Sequence, residues 1–187
     1  MKSVGIWLVC LLILFSPLAA GAACDGYYAT AGTGFLFYTG DASEKTELDY
    51  AAEFELSFGQ YFAKHYSHEV TVGYIHDGHI GDDLKMYTLS LAVMRRFPVS
   101  RKVSLFAGGG FMAAFFSDYH GHIYGVETRD NDFRPGINLL TGAQIDLAWD
   151  LFVRFQLSYR LIRELRLDGD TLDPSGVSGV LKFGYHF

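Results

Sequence analysis

Cysteine is nearly missing from this chain of 187 residues, which holds only Cys10 and Cys24. A disulfide-stapled scaffold is excluded, because such frameworks need several cysteines to pair. Proline is scarce at four residues, so neither a Pro-rich linker nor a collagen-like repeat is present. Positive charge is in deficit, with a formal net charge of −6, which argues mildly against nucleic acid or anionic lipid as a partner. Long apolar runs are lacking beyond the first twenty-odd residues. Leu105 to Phe116 comes nearest, and Gly108, Gly109 and Gly110 break it. A membrane helix needs about 20 apolar residues, so none is expected there.

What is present is a chain half apolar, with 16% aromatic residues and 21 glycines. That composition suits a β-rich protein with much apolar surface. The N-terminus stands apart. Lys2 gives a positive start, Gly5 to Phe15 is a continuous apolar run, Pro17 breaks it, and Ala20, Gly21 and Ala22 are small residues at a peptidase-compatible spacing. Residues 1–23 read as a cleaved secretory signal and residues 24–187 as one mature domain. Loss of Lys2 takes the formal charge from −6 to −7. Cys24 then has no cysteine partner within the domain. A lipid-acylated cysteine usually carries Leu three residues earlier, where this chain has Gly21, so acylation is disfavoured. An exported, apolar domain without a membrane helix points to a transmembrane β-barrel, whose strands give weak hydropathy signals.

Period two supports that reading. Tyr50, Ala52, Phe54, Leu56 and Phe58 alternate with Ala51, Glu53, Glu55, Ser57 and Gly59. Similar runs lie around Val70–Tyr74, Tyr87–Val93, Ile137–Leu147, Leu151–Leu161 and Leu181–Phe187. Two glycine- and aromatic-rich segments, about Gly26–Tyr38 and Val103–Phe116, bring the number of expected strands to eight. The connections alternate in length. Thr39–Asp49, Asp77–Lys85, Ser117–Arg134 and Glu164–Gly176 are long and charged, while Gln60–Ser67, Pro98–Lys102 and Ala148–Asp150 are short. Outer-membrane barrels show this asymmetry, with short periplasmic turns and longer external loops. Aromatics gather near strand ends: Tyr61, Phe62, Tyr66, Phe97 and Trp149 at the short turns, and Phe35, Phe37, Tyr50, Tyr74, Tyr87, Phe115 and Tyr159 at the long loops. Two interfacial girdles are expected from them. The expected fold is all-β, an eight-stranded antiparallel up-and-down transmembrane barrel.

Parity then places a polar set inside. Glu53, Glu55, Glu69 and Asp146 face Arg96, Arg154, Arg160 and Lys182, with His186 beside them. Unpaired charge in a confined interior is costly, so these groups are expected to match one another. An eight-stranded barrel is just wide enough for its own side chains to fill it. A plugged, salt-bridged lumen is therefore preferred over an ion path. Arg95 has outward parity next to a short turn and is expected to snorkel to the interface. Gly108 and Gly110, inward with Phe106 and Met112, are expected to make room across the lumen or let the wall curve.

The loops hold His76 and His79 with Asp82 and Asp83, then His120 and His122. Four imidazoles and nearby carboxylates are a candidate Zn²⁺ or Ni²⁺ site. Their spacing is loose, so solvated loop histidines are the preferred reading and no cofactor is expected. The stretch Asp168–Gly176 has alternating acids but no bidentate Glu at calcium-loop distance.

The chain from residue 24 onward resembles the small eight-stranded outer-membrane barrel proteins, the OmpA-like and OmpX-like group. The resemblance rests on the secretory signal, the eight alternating segments, and an ending with Tyr185 and Phe187 two residues apart. It implies an outer-membrane location reached through the periplasm, a monomer, contact with outer-membrane lipid and lipopolysaccharide, and recognition of Tyr185 and Phe187 by the barrel-assembly machinery. The group often carries Gly five residues before its end, where this chain has Lys182. Such folds host adhesins, anchors, narrow pores and enzymes alike. The expected role is structural and loop-presenting, with a narrow porin-like channel as the alternative. No wall-binding domain is expected after Phe187. A lipid A-modifying deacylase is a second alternative. That resemblance would need a lipid-facing His-x-Ser pair, but here Gln156 precedes Ser158 by two, Ser158 has inward parity, and a nucleophile without a base is not activated. No enzyme is expected.

Overall fold

The computed structural model describes residues 24–39, 50–63, 65–77, 84–117, 122–123, 126–127, 132–167 and 170–187. The proposed signal, His79 and His120 lie outside them. Eight long strands follow the period-two segments: β1 (Cys24–Tyr38), β2 (Tyr50–Phe62), β3 (Tyr66–Asp77), β4 (Leu84–Pro98), β5 (Val103–Ser117), β6 (Asp132–Asp146), β7 (Leu151–Ile162) and β8 (Gly176–His186). Each pairs antiparallel with its sequence neighbours, and β1 pairs with β8 to close the sheet. Closure removes both free edges, so every strand's backbone groups find partners in the wall. Two short ribbons stand apart from the barrel: His122–Ile123 with Val126–Glu127, and Leu165–Leu167 with Asp170–Leu172.

The stagger of the barrel can be followed rung by rung. Tyr28 pairs with Gly59, then come Glu69, Ala92, Gly110, Asn138, Arg160 and Gly176, and the path returns to β1 at Tyr38. The return point lies ten residues along from the start. With eight strands, ~4.7 Å between strands and ~3.3 Å rise per residue, this shear sets a tilt of about 41° and a backbone radius of about 8 Å. Strands of 11 to 15 residues then rise about 27–37 Å along the axis, enough to cross the apolar band of about 25 Å that outer-membrane barrels present.

The outward face carries Phe54, Leu56, Val72, Phe111, Leu139, Phe155 and Phe183, all exposed. Such a belt suits lipid and would be untenable in water over this area. At the short-turn end the chain reverses in three or four residues. Ala63, Trp149 and Asp150 have φ of 53°, 58° and 61°, the left-handed region that L-residues enter only under constraint. The strands run further than expected at several ends: Gln60–Phe62, Tyr66, Ser67, His76 and Asp132–Arg134 all lie in the wall.

One expectation about the girdles is corrected. Tyr61 is not an interfacial ring. It is only 8% exposed and faces the lumen, its ring 5.0 Å from that of Tyr28. β2 extends through Phe62, so Gln60 and Phe62 continue the outward row and Tyr61 falls on the same face as Glu53 and Glu55. Phe35, Phe37 and Tyr50 do cluster outside at the long-loop end, as do Tyr74 with Tyr87 and Phe115 with Phe133.

Candidate functional site

The interior is layered. Towards the short turns lies an apolar and aromatic plate that includes Tyr28, Tyr61, Met94, Phe106, Leu140 and Phe152. Towards the long loops lies a second plate that includes Leu36, Ile75, Met86, Met112, Phe116 and Ile162. Between them β2, β3, β7 and β8 deliver six buried charges.

These six form one chain of alternating sign. Arg154 Nη1 stands 2.5 Å from Glu69 Oε2, and Lys182 Nζ stands 3.4 Å from Glu69 Oε1. Lys182 Nζ is also 2.6 Å from Glu55 Oε2. Arg160 Nη2 donates to Glu55 Oε1 at 2.8 Å and to Glu53 Oε1. Ser178 Oγ donates to the other oxygen of Glu53. Three carboxylates meet three cations, so the buried chain is electrically neutral. Neutrality matters because an uncompensated charge between two apolar plates would face a large desolvation penalty.

Neighbours hold each member in place. Tyr28 OH donates to Glu69 Oε2 at 2.8 Å, Lys182 Nζ donates to Ser57 Oγ at 3.0 Å, and Arg154 Nη2 donates to Gln144 Oε1 at 2.9 Å. The Arg154 guanidinium lies 4.9 Å from the Tyr28 ring centroid and 5.1 Å from that of Phe106. Charge–ring attraction of this kind gains strength out of water. Arg154 thus joins the charged layer to the aromatic plate beneath it. Glycines on the wall make the room. A Cβ on Gly59 would fall 2.1 Å from Tyr28 Cζ, one on Gly184 2.1 Å from Phe152 Cζ, and one on Gly32 2.6 Å from Lys182 Cγ. At Gly108 and Gly110 a Cβ would instead meet the carbonyl oxygens of Val93 and Leu91, so these two let β4 and β5 approach and coil.

Arg96 and Asp146 stand apart from that chain. Their ion pair is 3.9 Å long and half-exposed at the short-turn mouth, with His186 Nε2 3.7 Å from Asp146 Oδ1. The Arg96 guanidinium lies over the Tyr61 ring at 4.9 Å. An open depression of about 710 Å³ at this mouth is lined by Tyr61, Arg96, Asp146 and His186 among others. Another of about 680 Å³, lined by Arg134, Arg163, Glu164 and Asp173 among others, opens at the far end. The plates and the ion chain lie between the two.

His76 lies in β3 with its ring stacked on Tyr74 at 6.1 Å, and His122 lies in the first short ribbon. Among the described residues no three His, Cys, Asp or Glu side chains gather as a metal site would require. Ser158 is buried in the lumen, and its Oγ has no hydrogen-bond partner among the described residues. Tyr185 and Phe187 point outward at the short-turn end, their rings 6.3 Å apart, and the Phe187 ring also meets Tyr27 at 6.2 Å. Tyr27 and Phe187 exchange two backbone hydrogen bonds of 3.0 Å, the last rung of the β1–β8 closure. Sequence reasoning missed Tyr28. β1 carries rings on both faces at Tyr27 and Tyr28, so no alternation marks the inner one.

A closed eight-stranded wall, lipid-facing outside and polar inside, defines a transmembrane β-barrel of the small outer-membrane class. The chain belongs to the outer membrane protein beta-barrel domain family, which it matches over residues 7–187. Among solved structures it is similar to the Neisserial surface protein A, at 16% identity and a TM-score of 0.60, over 88% of this chain and 97% of that one. The N-terminal barrel domain of Pseudomonas aeruginosa OprF is similar at 12% identity and a TM-score of 0.61, over 88% of this chain and 100% of that one. The outer membrane enzyme PagL is similar at 13% identity and a TM-score of 0.50, over 84% of this chain and 98% of that one. At these identities the likeness is one of fold. No curated protein sequence matched the chain. The protein is therefore an outer-membrane β-barrel, a class that carries short turns on the periplasmic side and longer loops outside.

Proposed function

We propose that the barrel is a closed, non-conducting scaffold that holds its long loops at the cell surface and contributes to the stability of the envelope. One observation carries this reading: a neutral chain of six buried charges fills the mid-lumen between two apolar plates. An ion entering the barrel would have to part Lys182 from Glu55 or Arg160 from Glu53 while passing Leu36 and Phe152, and parting a buried ion pair is costly. Loops on a rigid barrel are free to vary without loss of fold, the arrangement many binding proteins use. We assign Tyr185 and Phe187 as the outward pair read by the assembly machinery, and the apolar belt to outer-membrane lipid and lipopolysaccharide.

Planar-bilayer recording tests the closed lumen. The purified barrel is expected to give no reproducible steps, and defined unitary conductance would overturn the reading in favour of a narrow channel. An enzymatic role is set aside because Ser158 faces the lumen with Gln156, not a histidine, two residues before it. Mass spectrometry of lipid A from cells with and without the protein should show identical acyl chains. A lost chain would restore the deacylase alternative.

A further inference from the structure

The periplasmic rim carries an exposed cluster of cations beside Asp146, whose amide donates to the Lys102 carbonyl at 2.7 Å and whose carboxylate pairs with Arg96. Asp146 and Asp150 lie at the β6–β7 turn, while Arg95, Arg101 and Lys102 lie at the end of β4 and in the turn to β5, all three exposed. A chain whose formal charge is −6 has thus gathered cations on one arc of its membrane interface. Among the described residues no carboxylate lies within ion-pair distance of Arg95, Arg101 or Lys102.

Arg95 is held rather than simply extended. Its guanidinium lies 5.7 Å from the centroid of the Tyr66 ring and 5.1 Å from that of Phe97. Rings engage the faces of a guanidinium and leave its N–H edge open, and that edge matches two oxygens of a phosphate. His68, half-buried with its ring 5.6 Å from Phe62, shares the outward face. It pairs with Val93, two residues before Arg95, so it sits diagonally beside the guanidinium. Val93, exposed and two residues before Arg95 on the same face, continues the outer wall towards the membrane centre as a rest for acyl chains.

We propose that this arc binds the headgroup phosphate of an anionic glycerophospholipid in the periplasmic leaflet. Arg95, clamped by Tyr66 and Phe97, takes the phosphate. Arg101 and Lys102, just beyond the interface, meet the remaining negative charge. Snorkelling alone would need neither a two-ring clamp nor two further unpaired cations on the same arc.

The test is competitive lipid retention. The full barrel is reconstituted in nanodiscs containing equal phosphatidylglycerol and phosphatidylcholine, extracted, and bound lipid is counted by native mass spectrometry. The wild type should retain phosphatidylglycerol in preference. Arg95→Gln should lower that preference about fivefold, and Arg101→Gln with Lys102→Gln by a further fivefold or more, with phosphatidylcholine unchanged. Tyr66→Leu with Phe97→Leu keeps every charge and should still reduce retention, because the fork is no longer held. Arg163→Gln, at the opposite rim, should have no effect. Heat-modifiable migration in SDS confirms that each variant is folded, and Arg95→Lys serves where a glutamine variant is not, since it keeps the charge and loses the fork. Equal retention of the two lipids, an unchanged preference in Arg95→Gln, full retention after loss of both rings, or an equal loss in Arg163→Gln would each overturn the site.

Discussion

Lys182→Met removes the middle cation of the buried chain. Lys182 is fully buried, and its Nζ serves Glu55 at 2.6 Å, Glu69 at 3.4 Å and Ser57 at 3.0 Å. Without it three carboxylates face two cations. Glu55 keeps Arg160 at 2.8 Å and Glu69 keeps Arg154 at 2.5 Å, so neither acid is orphaned outright. Removing one partner of a buried pair costs about 3–5 kcal/mol, and the remaining contacts place this variant near the lower end. Glu55→Gln leaves one positive charge in excess and should lose a similar amount. The double variant is neutral again, with Arg160 on Glu53 and Arg154 on Glu69, and should lie within about 1 kcal/mol of the wild type rather than near the sum of the singles. Equilibrium urea unfolding in lipid vesicles measures this, with Trp149 as reporter, since Trp7 falls within the proposed signal and Trp149 is the one tryptophan beyond it. Single losses below about 0.5 kcal/mol, or strict additivity in the double, would refute the argument that neutrality of the chain governs its stability.

Gly59→Ala should destabilise the barrel by about 2–3 kcal/mol, because its Cβ would fall 2.1 Å from Tyr28 Cζ on a ring tied to Glu69; an unchanged unfolding midpoint would mean that Tyr28 is free to move. Asp150→Gly relieves a non-glycine φ of 61° and should raise stability by about 1 kcal/mol in the same assay, with no gain counting against strain in that turn. Phe187→Ala keeps the backbone rung with Tyr27 but loses the outward rings' contacts. It should lower the yield of assembled barrel in cells far more than folding in detergent, and equal losses in both settings would remove the recognition role.

Much of the architecture was legible in one dimension. Alternation along Tyr50–Phe58 and Leu151–Leu161 marks strands with two unlike faces, and the alternating loop lengths give the direction of the wall. Parity is local, because successive side chains must point to opposite sides of a strand. The same rule, carried three residues past Phe58, would have turned Tyr61 inward. An early strand end at Gly59 hid it, since strand ends are set by turns and closure rather than by composition. Tyr28 had no such trace.

The sequence by itself determined which charges face inward: Glu53, Glu55, Glu69, Arg154, Arg160 and Lys182 all have the parity opposite to the apolar rows that face lipid. It could not say which of them meet. Arg154 and Glu69 are 85 residues apart, and Lys182 and Glu55 lie on strands that are not neighbours in the wall. Their meeting depends on the height each reaches around the barrel, and that height follows from the ten-residue stagger fixed only when β1 closes on β8. Closure is a property of all eight pairings at once, so the tertiary structure alone decided that six separate charges become one neutral chain.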